Sequence, residues 1–315
     1  MAWRSNIDGM HFDLNDLRLF LLAAEEGSLT KAAAKHHLSL AAASARIKAL
    51  EVQADMPLLY REARGVRLSP PGLAFLHHAR LILHQVDQMQ GDLNEYGGGL
   101  RGHLRVFANT TAVTDFLPEL LPLFLADNPK VNIDLQEKPN AEIARGVQDG
   151  RADLGIVAGQ VDTLGLEQLH FSTDRLVLAT ALSHPLAQRQ QVAFADTLDE
   201  DAIGMQPGST LQMFLAQVTE GLGKPMKLRI QLSSFDAMCR MIGAGVGVGI
   251  VPESTALRYQ AAMGLALVQL SDAWCVRERY ILTRERAALP AYAQSLIERL
   301  CAHFVRAETL PSQRQ

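Results

Sequence analysis

The sequence predicts an all-α-rich winged helix-turn-helix, then one long helix, then an α/β domain of two lobes. Three observations predict it. Short capped helices precede a strand–turn–strand within the first 69 residues. A heptad seam of apolar residues runs from Phe75 to Tyr96, and beyond Leu100 short apolar strands alternate with helical stretches. The expected boundaries are 1–69, 70–99 and 100–315, with lobe I near 100–174 and 276–315 and lobe II near 175–275.

Asp13 opens the first helix, which carries Leu14, Leu17, Leu21 and Ala24 on its inner face and closes at Gly27. "SLTKAAAKHH" is a second short capped helix. In "HLSLAAASARIKALE", Ser39 stands where an N-cap belongs, and Ala43, Ile47 and Leu50 recur at helical spacing. If those three point inward, the opposite face is led by Ala41, Ala45 and Lys48. A helix that reads base edges usually does so with Gln, Asn or Arg, so alanines there are unusual. "PLLYREARGVRLS" follows, with Arg64-Gly65 as a turn between two strand-like runs, a wing carrying Arg61, Arg64 and Arg67. From Ser28 to Arg67 there are seven Lys/Arg against three Asp/Glu, a local charge of 7 − 3 = +4 in a chain whose formal net charge is −4.

The long helix places Phe75, Ala79, Ile82, Val86, Met89, Leu93 and Tyr96 at steps of 4, 3, 4, 3, 4 and 3, an a/d seam. A second copy of the chain is the expected partner for that seam; the alternative is an amphipathic helix packed on its own domain. Gly97-Gly98-Gly99 then reads as a flexible joint. Strand candidates beyond it are "HLRVFA", "VNIDLQE", "ADLGIVA", "RLVLAT", "KLRIQL", "GVGIV", "LALVQL" and "RYILT". Helical stretches fall near 115–127, 140–150, 209–221, 234–243 and 290–305. Linkers near 173–176 and 272–278 favour two lobes over one long sheet.

Several chemistries find no support. "GAGVGVGIVPES" superficially matches a phosphate loop, but its glycines follow a helix and lead into a strand, so close helix–strand packing explains them. The pairs His36-His37 and His77-His78 point in different directions on a helix and make no ready metal site. Cys239, Cys275 and Cys301 are far apart and form neither a metal motif nor a disulfide frame, and Cys239 reads as a small buried hydrophobe rather than a redox switch. No nucleophile elbow, zinc-helix motif or assignable carboxylate pair appears, and neither a cofactor nor a metal is implied. "MAWRSNIDGMHF" has no apolar core for a secretory signal, no run approaches a membrane span, and Met10 before the first helix makes residues 1–9 read as an extension.

Polar residues at strand–helix turns are more informative. "NTTAVTDFLPELL" offers Asn109, Thr110 and Thr111, and "GMQPGSTLQMFL" offers Gly208, Ser209 and Thr210. "LSSFDAMCRM" adds Ser233 and Phe235, and Ala158 ends the candidate strand "ADLGIVA". Helix N-termini present unpaired N–H groups and a positive dipole end, so such turns suit a carboxylate or another anion without any buried Arg or Lys. The alternative is that each hydroxyl only caps its own helix. Three such turns facing one cleft would make a binding site.

The order of parts, with "GSLTKAAAKHHLS", "SARIKALE", "VRLSPPG", "LPLFLADNPKVNIDL", "ADLGIVAG", "RLVLATALSHPLA" and "GAGVGVGIVPE", resembles the LysR-type transcriptional regulators from about Asp13 to about Val305. The resemblance implies a bacterial DNA-binding regulator whose C-terminal domain is periplasmic-binding-protein-like and takes a small, often anionic, effector between its lobes. It implies homodimers through the linker helix, tetramers on double-stranded promoter DNA, contact with RNA polymerase, and a cytoplasmic, nucleoid-associated protein that is not an enzyme. The expected DNA-facing residues are Thr30, Lys31, Ser39, Leu40, Ala41, Ala42, Ser44, Ala45, Arg46, Lys48, Arg61, Arg64 and Arg67. The sequence departs from the family pattern at Leu40, where Gln is usual, and at Ala45, where Arg is usual. The methyls can still pack on thymine methyls, with Arg46, Lys48 and the wing arginines on phosphates or in a narrow minor groove. A solute sensor with a protein-binding winged domain, and an enzyme fused to one, are the other classes open at this point.

Overall fold

The computed structural model describes residues 11–62, 65–96 and 102–309, except for the side chains at 88, 91–92, 94–96 and 305–309. The expected turn at Arg64, the Tyr96 side chain of the seam, the glycine joint 97–99 and the residues before Met10 lie outside the described residues. The chain divides into two compact units, the first holding residues 1–99 with 149–151 and the second holding 100–148 and 152–315.

In the first unit, α1 (Leu14–Glu26) starts at a reciprocal capping box between Asp13 and Asp16 and ends at Gly27 in the left-handed region. Its buried residues are Leu17, Leu19, Phe20 and Ala23, while Leu14 is exposed. The expected stripe is therefore corrected, because α1 is covered on two sides. Leu19, Phe20 and Ala23 join a core with α2 (Leu29–Lys35) and α3 (Leu40–Ala54), and Leu17 faces α4 (Pro70–Tyr96). Ser28 and Ser39 cap α2 and α3 as expected. His36 and His37 belong to the turn between them rather than to a helical face, and His37 adopts φ +55°. The wing is β1 (Leu59–Glu62) paired antiparallel with β2 (Gly65–Leu68). Glu51 near the end of α3 anchors it, one carboxylate oxygen accepting from the N–H of Leu58 and of Leu59 at 3.0 Å each. Gly72 lets α4 leave the wing: a Cβ there would lie 2.0 Å from the Leu58 carbonyl oxygen.

The seam on α4 is divided. Leu76, Ala79 and Leu83 are buried and Phe75 half-buried, packing on Leu17 and Phe20, with Phe20 and Phe75 edge to face at 4.9 Å. Beyond that, Ile82, Met89 and Leu93 are exposed, Leu93 by 63%. The first turns thus pack on their own domain, and the distal seam is open.

In the second unit, lobe I is a sheet ordered β4 (Val131–Glu137), β3 (Gly102–Ala108), β5 (Leu154–Ala158), β12 (Val276–Thr283) and the first part of β6 (Glu167–Ala181). Helices α5 (Leu117–Asp127), α6 (Asn140–Gln148) and α10 (Ala291–Thr309) cover it. Lobe II continues β6 with β10 (Gly249–Pro252), β11 (Leu265–Leu270) and β7 (Gln191–Val192). It adds a parallel pair, β8 (Ala202–Met205) and β9 (Leu228–Leu232), and helices α7 (Thr210–Leu222), α8 (Phe235–Gly243) and α9 (Glu253–Met263). Strand β6 spans both lobes: residues 167–175 pair with β12, and residues 176–181 pair with β10 or β11. The expected linker at 173–176 is strand, within β6, whereas 272–278 is a bend and a short 3-10 turn (Ala273–Cys275) that lead into β12; paired strands carry the chain between lobes without leaving backbone groups unmet. Among the described residues no helix is long and apolar enough to cross a membrane.

Three of the four glycines of "GAGVGVGIVPES" serve packing, and Gly245, at φ +75°, serves a turn. A Cβ on Gly243, Gly247 or Gly249 would collide with the Met263 carbonyl, the Asp201 carbonyl or the Met238 side chain. Cys239 is fully buried in the lobe II core, and burial pushes its thiol up to about 11.

Candidate functional site

On α3, Ala43, Ile47 and Leu50 are buried, so the outer face carries Leu40 (49% exposed), Ala41, Ala42, Ala45 and Lys48. Thr30 and Lys31 are exposed on neighbouring α2. Ser39 is occupied as a cap, accepting from the Ala42 N–H at 3.2 Å. Ser44, half-buried, accepts a hydrogen bond from Arg61 Nη2 at 2.8 Å, which ties the wing to this helix. Arg67 donates to Glu62 at 2.9 Å and lies over the Tyr60 ring at 5.1 Å. Arg46 is half-exposed and ion-paired rather than free. Its guanidinium is held by Asp16 at 2.6 Å and by Asp13 at 3.5 Å, because its flank of α3 faces the start of α1. Lys48 is left as the exposed cation of α3.

Between the lobes lies a cleft with about 490 Å³ of atom-free space, partly open to solvent. Lobe I contributes Asn109, Thr110, Thr111, Ala158, Asp174, Arg277 and Arg279. Lobe II contributes Leu176, Met205, Ser209, Thr210, Leu211, Phe235 and Pro252. Of the sequence candidates, Asn109, Thr110, Thr111, Ala158, Ser209, Thr210 and Phe235 therefore converge. Gly208 does not line the cleft; with φ +89° it makes the turn before Ser209. Ser233 does not line it either, and the cap of α8 is Ser234, accepting from the Ala237 N–H.

The hydroxyls are partly committed. Thr110 donates to Glu137 at 2.6 Å, so its proton is not available to an anion. Ser209 accepts from the Gln212 N–H, and Thr210 accepts from the Asn140 N–H across the lobes at 3.2 Å. Asn109 caps the following turn by accepting from the Ala112 N–H at 3.0 Å. Asn109 and Ser209 thus organise local backbone, while Thr110 and Thr210 are held by tertiary partners.

Two buried arginines correct the expectation of a site without buried cations. Arg279 is 4% exposed, ion-paired with Asp174, and donates to Ser254 Oγ at 3.0 Å. Arg277 is 8% exposed and differs in kind. Its Nη2 donates to the Ala158 carbonyl at 2.8 Å and its guanidinium lies over Phe214 at 4.3 Å, but Nε and Nη1 are buried without a hydrogen-bond partner. Burial pulls its pKa down to about 10, with the Asp174 charge opposing the shift. Gly159 makes room for it, since a Cβ there would lie 2.3 Å from Nε. The signal was present in "VRERYILT": alternation puts Arg277, Arg279 and Ile281 on one buried face. Starting the strand at Arg279 hid it.

A second set of contacts spans the lobes. A π-helical turn, Ala112–Phe116, precedes α5 and carries Asp115, which accepts from Thr255 of α9. Burial chiefly raises the Asp115 pKa. Arg258 of α9 donates to the Asp115 carbonyl at 2.7 Å and to Glu119 at 2.9 Å.

Comparison with known proteins agrees with this architecture. Residues 14–73 match the bacterial regulatory helix-turn-helix protein family model of the lysR type, and residues 97–304 match the LysR substrate binding domain. A probable RuBisCO transcriptional regulator of Trieres chinensis is 28% identical over 269 residues, covering 83% of this chain and 87% of the relative. Full-length CbnR in complex with its target DNA superposes with a TM-score of 0.60 at 22% identity, covering 94% of this chain and all of that one. The regulatory domain of Synechocystis PCC6803 CcmR, solved with 2-PG, gives 0.57 at 24% identity and covers 64% of this chain and 97% of its own. The winged helix-turn-helix, the long helix and the two-lobed α/β domain therefore place this chain in the LysR family, as a transcriptional regulator with a helix-turn-helix DNA-binding domain and an effector-binding domain.

Proposed function

We propose that the chain is a one-component regulator whose effector is a small anion bound between the lobes, with Arg277 as its anchor. One observation carries the reading: a guanidinium more than nine-tenths buried in the cleft wall, with two nitrogens lacking partners. A buried charge without a partner is costly, so such a group is suited to a counter-ion that arrives later. A relative's regulatory domain solved with 2-PG supports a small-molecule ligand, and a relative bound to its target DNA supports promoter DNA as the other partner. Exposed Ile82, Met89 and Leu93 on α4 support pairing with a second copy, and from such pairs the tetramer. Effector binding shifts the lobes toward closure and rearranges the two DNA-binding pairs, changing how RNA polymerase meets the promoter on the nucleoid.

The test has two arms. Gel shifts of the full chain on its own upstream DNA measure the DNA partner. Thermal unfolding of wild type and Arg277→Gln against carboxylates, phosphates and their neutral amides or esters measures the effector. Anions should raise the melting temperature of wild type and leave the variant unmoved; an equal rise in both would place the anion elsewhere.

A further inference from the structure

The cleft carries more information than the sign of its ligand. Among its described lining residues the ionisable groups are Asp174, Arg277 and Arg279. Arg279 and Asp174 neutralise one another in an ion pair, and Ser254 contacts both. Arg279 is further enclosed by Phe116 at 5.4 Å and Phe304 at 5.6 Å, which leaves little room for a ligand on its guanidinium. The lining therefore holds one uncompensated positive charge, on Arg277. Glu137, which accepts the Thr110 hydrogen bond, adds a negative charge beside the lining. The rest of the lobe II wall is largely apolar: Leu176, Met205, Leu211, Phe235 and Pro252.

We infer that the effector is a monocarboxylate with an apolar body, and that the cleft selects against dianions such as phosphate esters and dicarboxylates. This rests on the cleft and Arg277 being the effector site. A single carboxylate neutralises Arg277 and meets one edge of its guanidinium, one oxygen accepting from Nη1 or from Nε and the other from the remaining Nη2 N–H, the fork that a guanidinium presents. A second negative charge would be taken out of water into the same small space with no cation to meet it, next to Glu137. The apolar wall recognises the body of the ligand, as small-molecule sites do when a few polar groups fix orientation. The stacking of Arg277 on Phe214 keeps the guanidinium in place before the ligand arrives.

The experiment is a thermal-unfolding series on the full chain. Benzoate, phenylacetate and the straight-chain monocarboxylates from butanoate to decanoate form one arm. Inorganic phosphate, phenyl phosphate, succinate and phthalate form the second, and the primary amides of the first arm form the third. At a hundredfold excess over Kd a cognate ligand raises the melting temperature by about 5 °C or more. The expected result is a rise with one or more monocarboxylates, none with the matching amides, and at least tenfold weaker binding of the dianions. In Arg277→Gln, with circular dichroism matching wild type, the rise is lost; if that variant does not fold, the three wild-type arms decide the matter alone. Dianions binding as well as or better than monocarboxylates would overturn this inference while leaving the anion site intact. Equal binding of amides and carboxylates, or no rise with any anion, would overturn both.

Discussion

Arg277 combines a role with a liability. Burial pulls its pKa down to about 10, which corresponds to roughly 3 kcal/mol against burying the charged form, at 1.36 kcal/mol per unit. The sign follows: the folded chain holds the proton less tightly than the unfolded one, so at neutral pH the charged group opposes folding. Arg277→Met keeps a long side chain against Phe214 and removes the charge. The expected outcome is a ligand-free protein more stable by about 1–3 kcal/mol in urea unfolding, and deaf to the effector. A variant less stable than wild type would mean that the Ala158 hydrogen bond and the Phe214 contact outweigh the charge. Cys239 makes the opposite case, a group that burial silences. With its thiol pushed up to about 11, the thiolate fraction at pH 8 is about one in a thousand. Native protein titrated with a disulfide reagent should leave Cys239 unmodified, as read by peptide mass, and should modify it after unfolding.

The two long-lived questions at the scale of elements concern α3 and α4. The outer face of α3 offers methyls and one exposed cation, so its hydrogen-bonding readout of bases is thin. Lys48→Ala should weaken binding about equally on all sequences and lower the salt slope by about one. Ala45→Glu should abolish binding through bulk and repulsion, and intact affinity in a gel shift would remove α3 from the major groove. Arg46→Ala belongs to another kind of test, since it cuts the tie to Asp13 and Asp16 and should act on stability. For α4, charging the open half of the seam separates the two readings of the helix. Ile82→Glu with Val86→Glu should convert the protein to a monomer by light scattering without unfolding the winged domain, whose contacts run through Leu76, Ala79 and Leu83. An unchanged mass would place the dimer contact elsewhere.

At the scale of the whole molecule, periodicity made most of the architecture legible. Eight strand candidates coincide wholly or largely with observed strands, and Ser28, Ser39 and Ser209 cap the helices they precede. What stayed hidden has physical reasons. The strand "AIGM" is short and fully buried, so it shows no alternation. The helix "ESTALRYQAAM" has little amphipathic contrast, with only Thr255 and Ala256 buried. The first part of β6 is polar because it pairs with β12 on the lobe-bridging ribbon, and the two cleft arginines were lost with that ribbon. The turns at Asn109–Thr111 and Ser209–Thr210 converge where expected, yet tertiary partners such as Glu137 and Asn140 redirect their hydroxyls, which no local pattern discloses. The interlobe ties from Thr255 and Arg258 to the turn around Asp115 join segments about 140 residues apart and are likewise invisible to local pattern.

Occupancy of the cleft at Arg277 is expected to change how the winged helices engage DNA. The most direct measurement is a DNase I footprint on the upstream DNA of the protein's own gene, with and without the monocarboxylate that most raises its melting temperature. The expected result is a protected region whose extent or hypersensitive positions change on adding the ligand to wild type, and do not change for Arg277→Gln. An identical footprint with and without ligand, at concentrations that saturate the thermal shift, would contradict it.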